Sequence, residues 1–397
     1  MATIVFAILP ELGHLNASLK LAKSLKSRGH QVYYLVAAEY REYISFQGLE
    51  TIELGTDETA VEDGLGSASE TSQLPLMELL LNSWIQEQPL DTTLRKVMAV
   101  LEAAVQSVAR KLRPALFIID LFVPDVVAIA RGTGVPYVLL NSTLFDPLKG
   151  VDRFNKIRTA SGAPELVLCP KEFDFPHAVT PQAHRYHIEA SIDLERKDIP
   201  FPWERISAGK PLIYCSLGSQ PFRGRQEVFQ PIIDAMKDRK DWQMVFTTGN
   251  AQHDQEAALV PSNVVLVKRA PQLEVLQRAS LMITHGGLNG IKEAIYFGVP
   301  MILMPLEGGK GSDQPMNAAR AVYHGLGIRA DSRQLSAENI GSLFNRIQRN
   351  QSFRDRTSLM KRKFRELEAA GLGVKIIEAL LMSIARRYPA TSRETLR

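Results

Sequence analysis

Cysteine is almost missing from these 397 residues: Cys169 and Cys215 are the only two. Two thiols build no disulfide framework and match no metal-ligand spacing, so the disulfide-stapled scaffolds and zinc modules are excluded, and both read as buried free thiols. Long hydrophobic runs are missing too. No stretch approaches the ~20 uncharged apolar residues that a membrane-spanning helix needs. The chain opens Met1-Ala2-Thr3 and enters an apolar stretch without a basic leader or a small-residue cleavage site. No secretory signal is therefore expected, and the protein is read as cytoplasmic. Low-complexity segments and short repeats are absent. No basic cluster is interleaved with aromatics, so nucleic acid is not an expected partner.

What is present is ordinary globular composition, 45% hydrophobic and 23% charged, in a length that suits two domains. The charge is uneven. Residues 1–200 carry 19 Lys and Arg against 25 Asp and Glu, a net of −6, and residues 201–397 carry 28 against 18, a net of +10. A basic second half suits a dianionic ligand such as a diphosphate. It also reflects a basic tail, because residues 351–397 alone hold 11 positive and 5 negative charges.

The pattern along the chain alternates strand and helix. Thr3–Leu9 is a continuous apolar run of the kind a buried parallel strand shows. Leu15, Leu19, Ala22 and Leu25 then recur at helical spacing, Gly29 stops the helix, and 31–37 reads as the next strand. A long helix over 94–112, strands over 115–119 and 136–140, and a helix over 126–131 complete a first βα series. Patterning weakens between 145 and 209, where prolines at 164, 170, 176, 181, 200, 202 and, just beyond, 211 suggest loops and then a linker at about 194–210. A second βα series comes next, with strands over 211–216, 243–247, 264–267, 281–284 and 300–304 and helices over 228–236, 273–278 and 290–297. An amphipathic helix spans 374–387. The expected architecture is α/β: a first domain over 1–205, a second over 211–375, and a terminal helix and tail over 376–397. In open parallel sheets, ligands bind beyond the carboxyl ends of the strands. The candidate residues fall there in both series.

In the second series, Thr284-His285-Gly286-Gly287 follows a strand and opens a helix. Glycines let backbone approach a phosphate, and the helix N-terminus offers free N–H groups and partial positive charge. His285 adds a donor. Glu293, further along the helix, is a carboxylate that can accept from ribose hydroxyls. The full set is Pro271-Gln272, His285-Gly286-Gly287-x-Asn289, Glu293, Gly298-Val299-Pro300 and Asp313-Gln314-x-x-Asn317-Ala318. In this order it resembles the donor signature of family 1 glycosyltransferases, which glycosylate plant metabolites, steroids, carotenoids, macrolides and other polyketides. With a leading Gly13-His14, a central Asp120, the linker and the terminal helix, the resemblance runs the length of the chain. It implies the GT-B fold, two Rossmann-like domains facing across a cleft. It implies that Ala270 and Gln272 lie at the base and ribose, that His285, Gly286, Gly287 and Asn289 hold the diphosphate, and that Gly218 and Ser219 cap it from the other side. Glu293 would take the ribose hydroxyls, and Asp313 with Gln314 would read those of the sugar.

In the first series, His14 follows the first strand at the start of a helix, for which Asn16 is the expected N-cap. The helix dipole disfavours the imidazolium there, which would keep His14 neutral. Asp120 ends a buried apolar strand and needs a partner; it could cap the segment after it or pair with His14. The resemblance favours His14 as general base with Asp120 orienting it, the more distant Asp125 being the competing choice. Acceptor walls are expected from 64–84 and 144–187, with Trp84, Phe145, Phe173 and Phe175 as apolar faces. The expected reaction is an inverting hexosyl transfer to a hydroxyl of a small apolar acceptor, with UDP-glucose the first donor and a dTDP-deoxysugar the second, and with no metal or cofactor.

The chain also departs from the pattern. Gly290 stands where relatives carry Ser or Thr. Arg269 stands where many carry an aromatic, and could stack on a base through its guanidinium plane. The 306–312 loop is long and glycine-rich, with Lys310 at its tip. A monomer or weak dimer is expected, and the basic tail suits a peripheral membrane contact. A lipid-linked cell-wall-type transferase, a nucleotide-sugar epimerase on the same scaffold and a non-catalytic binding partner remain open alternatives.

Overall fold

A computed structural model describes residues 1–54, 92–144, 162–176, 184–218, 225–249, 260–305, 312–331 and 334–387. In chain order the first half contains β1 (Thr3–Ala7), α1 (Leu12–Ser27), β2 (Gln31–Val36), α2 (Ala38–Phe46), β3 (Glu50–Glu53), α3 (Thr92–Leu112), β4 (Leu116–Asp120), α4 (Pro124–Thr133), β5 (Tyr137–Asn141), β6 (Glu165–Val167) and β7 (Arg185–His187). The second contains β8 (Leu212–Ser216), α5 (Arg225–Asp234), β9 (Gln243–Thr247), β10 (Val264–Val267), α6 (Gln272–Arg278), β11 (Ala279–Thr284), α7 (Leu288–Phe297), β12 (Met301–Leu303), α8 (Gln314–Tyr323), β13 (Gly327–Arg329), α9 (Ala337–Arg349), α10 (Gln351–Ala370) and α11 (Leu372–Arg387).

The strands form two sheets, ordered β3-β2-β1-β4-β5-β6-β7 and β10-β9-β8-β11-β12-β13. Every pairing between described strands is parallel. Helices cover both faces, which is why Leu116–Asp120 is buried along its whole length. Each sheet reverses its strand order once, between β1 and β4 in the first and between β8 and β11 in the second. At such a switch point the loops leaving adjacent strands diverge and open a crevice.

Local chemistry sets the element ends. α4 begins on a proline and stops at Gly134 in the left-handed region. α7 stops the same way at Gly298, φ +79°, with Pro300 two residues on. α1 differs from expectation: its N-cap is Glu11, and Asn16 lies inside the helix, accepting from the Tyr43 hydroxyl. The stretch expected to be loop, 145–209, holds β6 and β7, which extend the first sheet beyond β5. Three residues long and carrying Glu165 and Arg185, they lack the apolar run that reveals the equally short β12.

The halves share an apolar cluster. Leu144, Val167, Cys169, Phe173, Ala190 and Ile192 pack with Leu273 of α6 and Leu288, Ile291 and Ile295 of α7. Buried cations of the second half stitch across it. Lys292 Nζ donates to the carbonyls of Leu168 at 2.7 Å and Ala190 at 3.0 Å. Arg320 donates to Asp174 Oδ1 at 2.7 Å and to the Leu144 carbonyl at 3.0 Å. α11 places Val374 and Ile377 in the core of the first half, among Ile4, Leu15 and Leu25. Burying each contributes roughly 1.5–3 kcal/mol. Both cysteines are buried and unbridged.

Candidate active site

The two switch points face each other. In the first half, β1 and β4 pair in register to Ala7 and Ile119, so the chain leaves β1 directly beside Asp120. His14 lies in the first turn of α1, and its Nδ1 sits 2.7 Å from Asp120 Oδ2. Asp120 is 2% exposed and His14 13%. The carboxylate is held from the backbone as well. Its Oδ1 accepts the Phe122 N–H at 2.9 Å and its Oδ2 the Leu9 N–H at 3.4 Å. Of the two roles open to Asp120 in the sequence, it partners His14 and does not cap the helix that follows, whose N-cap is Val123 without a side-chain cap bond. Ser142 Oγ lies 3.0 Å from the same His14 nitrogen, and Phe122 meets the ring edge-on at 5.0 Å.

The helix dipole does not decide the charge of His14. Burial pushes its pKa down, but Asp120, by charge and by hydrogen bond, then Glu11 and Asp313 outweigh burial and raise it above the ordinary histidine value. Carboxylates at contact range exceed the partial charge of one helix end.

In the second half, β8 and β11 end in register at Ser216 and Thr284, which brings Gly218 and the His285 turn together. The His285 ring lies on both glycines. A Cβ on Gly287 would come 2.6 Å from Nε2, and one on Gly218 would come 2.9 Å from Cε1. Neither position admits a side chain without moving the ring. Gly286 adopts φ +92°, and its carbonyl accepts from Asn317 Nδ2 at 3.2 Å. The N–H groups of α7 open from this turn. Gly290 is different: a Cβ there would meet its neighbours at 3.5 Å or more, so packing does not demand glycine.

Asp313 stands at the N-cap position of α8, without a side-chain cap bond, and sits within electrostatic reach of His14, so the second half reaches the first-half pair. Burial raises the Asp313 pKa, against Asn317, His14 and Arg320, which lower it. Asn289 bridges the halves directly, its Nδ2 donating to the Gly13 carbonyl, while its Oδ1 is buried with no hydrogen-bond partner. Gln314 is half-buried beside Asp313; Ala270 is half-buried and Arg269 exposed ahead of α6.

Glu293 is engaged already. Its Oε1 accepts from Arg196 at 2.8 Å and its Oε2 from Gln272 Nε2, while Gln272 Oε1 accepts from the Tyr214 hydroxyl at 3.0 Å. Burial opposes the charge of Arg196, but Glu293, Tyr43 and Asp198 outweigh it and hold the guanidinium above its ordinary value.

One expected acceptor wall, Phe173, has another place, while Phe175 is half-buried. Phe173 is fully buried in the apolar cluster between the halves and stacks on His324 at 5.9 Å. Phe175 packs edge-on to Tyr323 at 5.5 Å, beneath Arg320. Both therefore meet α8 and its C-terminal end, because the chain after β6 runs against the second half. Trp84, Phe145, Ser219, Lys310 and residues 306–311 lie outside the described residues. Among the described residues, no group of three His, Cys, Asp or Glu side chains could hold a metal ion. No described helix is long and apolar enough to cross a membrane.

Ser142, Arg196 and Tyr214 escape the sequence reading. Ser142 carried a usable signal, the carboxyl end of a buried strand. Arg196 carried none, since it sits in irregular chain and reaches Glu293 only through folding.

Residues 157–365, just over half of the chain, match the model of the family described as "UDP-glucoronosyl and UDP-glucosyl transferase". The chain belongs to this family. Among its relatives, the NDP-glycosyltransferase YjiC of Bacillus subtilis is 23% identical over 95% of this chain and 97% of its own length. The demethyllactenocin mycarosyltransferase of Streptomyces fradiae is 23% identical over 97% of this chain and 88% of its own. The crystal structure of the glycosyltransferase SnogD from Streptomyces nogalater superposes with a TM-score of 0.72 at 19% identity, covering 96% of this chain and all of that one. The fold of this family 1 glycosyltransferase is GT-B, with one parallel sheet in each half.

Proposed function

We propose that this glycosyltransferase moves a hexose from a nucleoside-diphosphate sugar to a hydroxyl of a small, largely apolar natural product, with inversion at the anomeric carbon and without a metal ion. The observation that carries the reading is the 2.7 Å contact of His14 Nδ1 with Asp120 across the first switch point. With Nδ1–H donated to Asp120, Nε2 keeps its lone pair and can take a proton from the acceptor hydroxyl. Asp120 then balances the imidazolium. The acceptor oxygen attacks C1 of the sugar from the face opposite the diphosphate, and the C1–O bond to the diphosphate breaks. The departing charge would meet the N-terminus of α7, the backbone of Gly286 and Gly287, and His285. Asp313 and Gln314 would meet the sugar hydroxyls, and Glu293 the ribose.

UDP-glucose is the first donor to test and a dTDP-deoxysugar the second. A natural-product acceptor is supported by relatives named for macrolides, such as the oleandomycin glycosyltransferase of Streptomyces antibioticus. The test is His14→Ala. Turnover should fall by about 10²–10⁴-fold, the usual share of a general base. Thermal stabilisation by UDP should stay as in the parent, because His14 lies on the acceptor side. Normal turnover in this variant would remove His14 from the mechanism.

A further inference from the structure

The glycine turn after β11 is fastened from the core at two points. Gly286 donates its own N–H to Thr284 Oγ1 at 3.3 Å, and its carbonyl accepts from Asn317 Nδ2 at 3.2 Å. Asn317 belongs to α8 and is fully buried. Its amide has one orientation open to it. Oδ1 accepts from Arg320 Nη1 at 3.4 Å, and a guanidinium offers no acceptor to an amide N–H in exchange. Arg320 is held in turn by Asp174 Oδ1 and by the Leu144 carbonyl. The donor end of Asn317 therefore faces the turn, where it also hydrogen-bonds the Asp313 carboxyl.

A peptide unit is planar and trans, so its C=O and its N–H point in opposite directions. Gripping the Gly286 carbonyl from α8 turns the N–H of the same unit, that of Gly287, away from α8. A unit between two glycines is also the easiest to invert. Inversion takes counter-rotation about ψ of the first residue and φ of the second, and neither glycine has the Cβ that forbids positive φ. Gly286 already sits at φ +92°. Neither position admits a Cβ that would stiffen the backbone: one on Gly286 would come 3.1 Å from the Gln314 carbonyl, and one on Gly287 strikes the His285 ring. The orientation is thus left to a hydrogen bond from outside the turn. An inverted unit would present a carbonyl oxygen, which repels the anion that an N–H attracts.

Resting on the reading of this turn as the diphosphate site, we propose that Asn317 is a positioning residue: it locks the Gly286–Gly287 peptide with its N–H turned to the diphosphate of the ligand. It lies beneath the turn and acts through the backbone it holds.

The experiment compares UDP with uridine, and dTDP with thymidine, by calorimetric titration. The parent should bind a diphosphate more tightly than its nucleoside. In Asn317→Ala the diphosphate affinity should fall by about tenfold, the worth of one hydrogen bond to a charged group. The nucleoside affinity should stay within about twofold, since the turn meets only phosphate. Neither diphosphate carries a transferable sugar, so the lost bond to the sugar-reading Asp313 is not what the titration reads. A merely structural role would weaken nucleoside and diphosphate alike, and that parallel fall overturns the proposal, as does an unchanged diphosphate affinity. A second measurement needs no variant to fold. In the parent protein, made with nitrogen-labelled glycine, the Gly287 amide resonance should shift when pyrophosphate is added, and an unmoved resonance overturns the proposal. The reading beneath it is tested separately by the parent titrations. If neither diphosphate binds the parent more tightly than its nucleoside, the turn holds no diphosphate and the donor-site reading falls together with the proposal. A clear preference in the parent that persists in Asn317→Ala removes Asn317 alone.

Discussion

His14 is held from several sides: Asp120 and Ser142 at Nδ1, and Phe122 at the ring edge. Its charge depends on the same contacts. Because burial lowers its pKa and Asp120 overcomes burial, the neutral base forms only above the ordinary value near 6.5. A raised folded pKa contributes stability that is complete below the unfolded value and fades as pH rises through the folded one. The proposed base role runs the opposite way, since it needs the neutral ring. In Asp120→Asn, burial should prevail and the acid limb of kcat/KM should move to lower pH. The plateau should drop by about 10⁴-fold as the ring loses its tautomer control. A pH-rate profile of both proteins reads the two effects at once, and an acid limb that stays put would remove Asp120 as the cause of the raised pKa. Both residues were legible in the sequence because each ends or follows a buried apolar strand. The raised pKa was not legible, because Asp120 meets His14 only across 106 positions of chain.

At the scale of elements, α7 carries most of the proposed donor contacts, and the glycine before it differs in kind from the one within it. Gly287 is needed for the His285 ring, which a Cβ would strike, whereas Gly290 has room for one. Gly290→Ala should therefore stabilise the fold by roughly 0.5–1 kcal/mol through helix propensity, read as a shift of the denaturation midpoint. Gly287→Ala should displace His285 and weaken UDP binding. Equal behaviour of the two variants would contradict the packing described for the turn. The buried parallel strands were legible from their apolar runs, β9 and β10 to the residue. α10 hid itself: its buried stripe is Thr357, Met360, Phe364 and Glu368, in which two polar members break the apolar pattern though the spacing is helical. β3, β6 and β7 hid for another reason: they carry Glu50, Glu53, Glu165 and Arg185 and so lack the apolar run that marks the equally short β10 and β12.

At the scale of the molecule, the surfaces between the halves are joined as a domain interior is. Apolar residues of both halves share one cluster, and Lys292 and Arg320 are each 1% exposed within it. Lys292→Met keeps the bulk of the side chain but leaves the Leu168 and Ala190 carbonyls without their donor. It should cost about 1–3 kcal/mol in equilibrium unfolding, the penalty of unpaired buried acceptors. An unchanged stability would mean that the two carbonyls find water, and that this bridge does not hold the halves together. Burial lowers the Lys292 pKa, and Cys169, Glu368 and Glu293 oppose that shift only in part.

Read alone, the residues disclose the strands with long apolar runs, the two βα series, the glycine turn after β11 and the placement of His14 and Asp120 at strand ends. Each depends on local patterning: apolar runs that must be buried, glycines that must turn, and charged residues that cannot stay unpartnered at the edge of a core. Folding was needed to reveal that Arg196 sits on Glu293, that Ser142 joins His14, that Phe173 closes the space between the halves, and that Asp120 raises the pKa of His14. The first three of these join residues 97, 128 and 151 positions apart, and an interaction energy depends on distance in space, which chain separation does not encode.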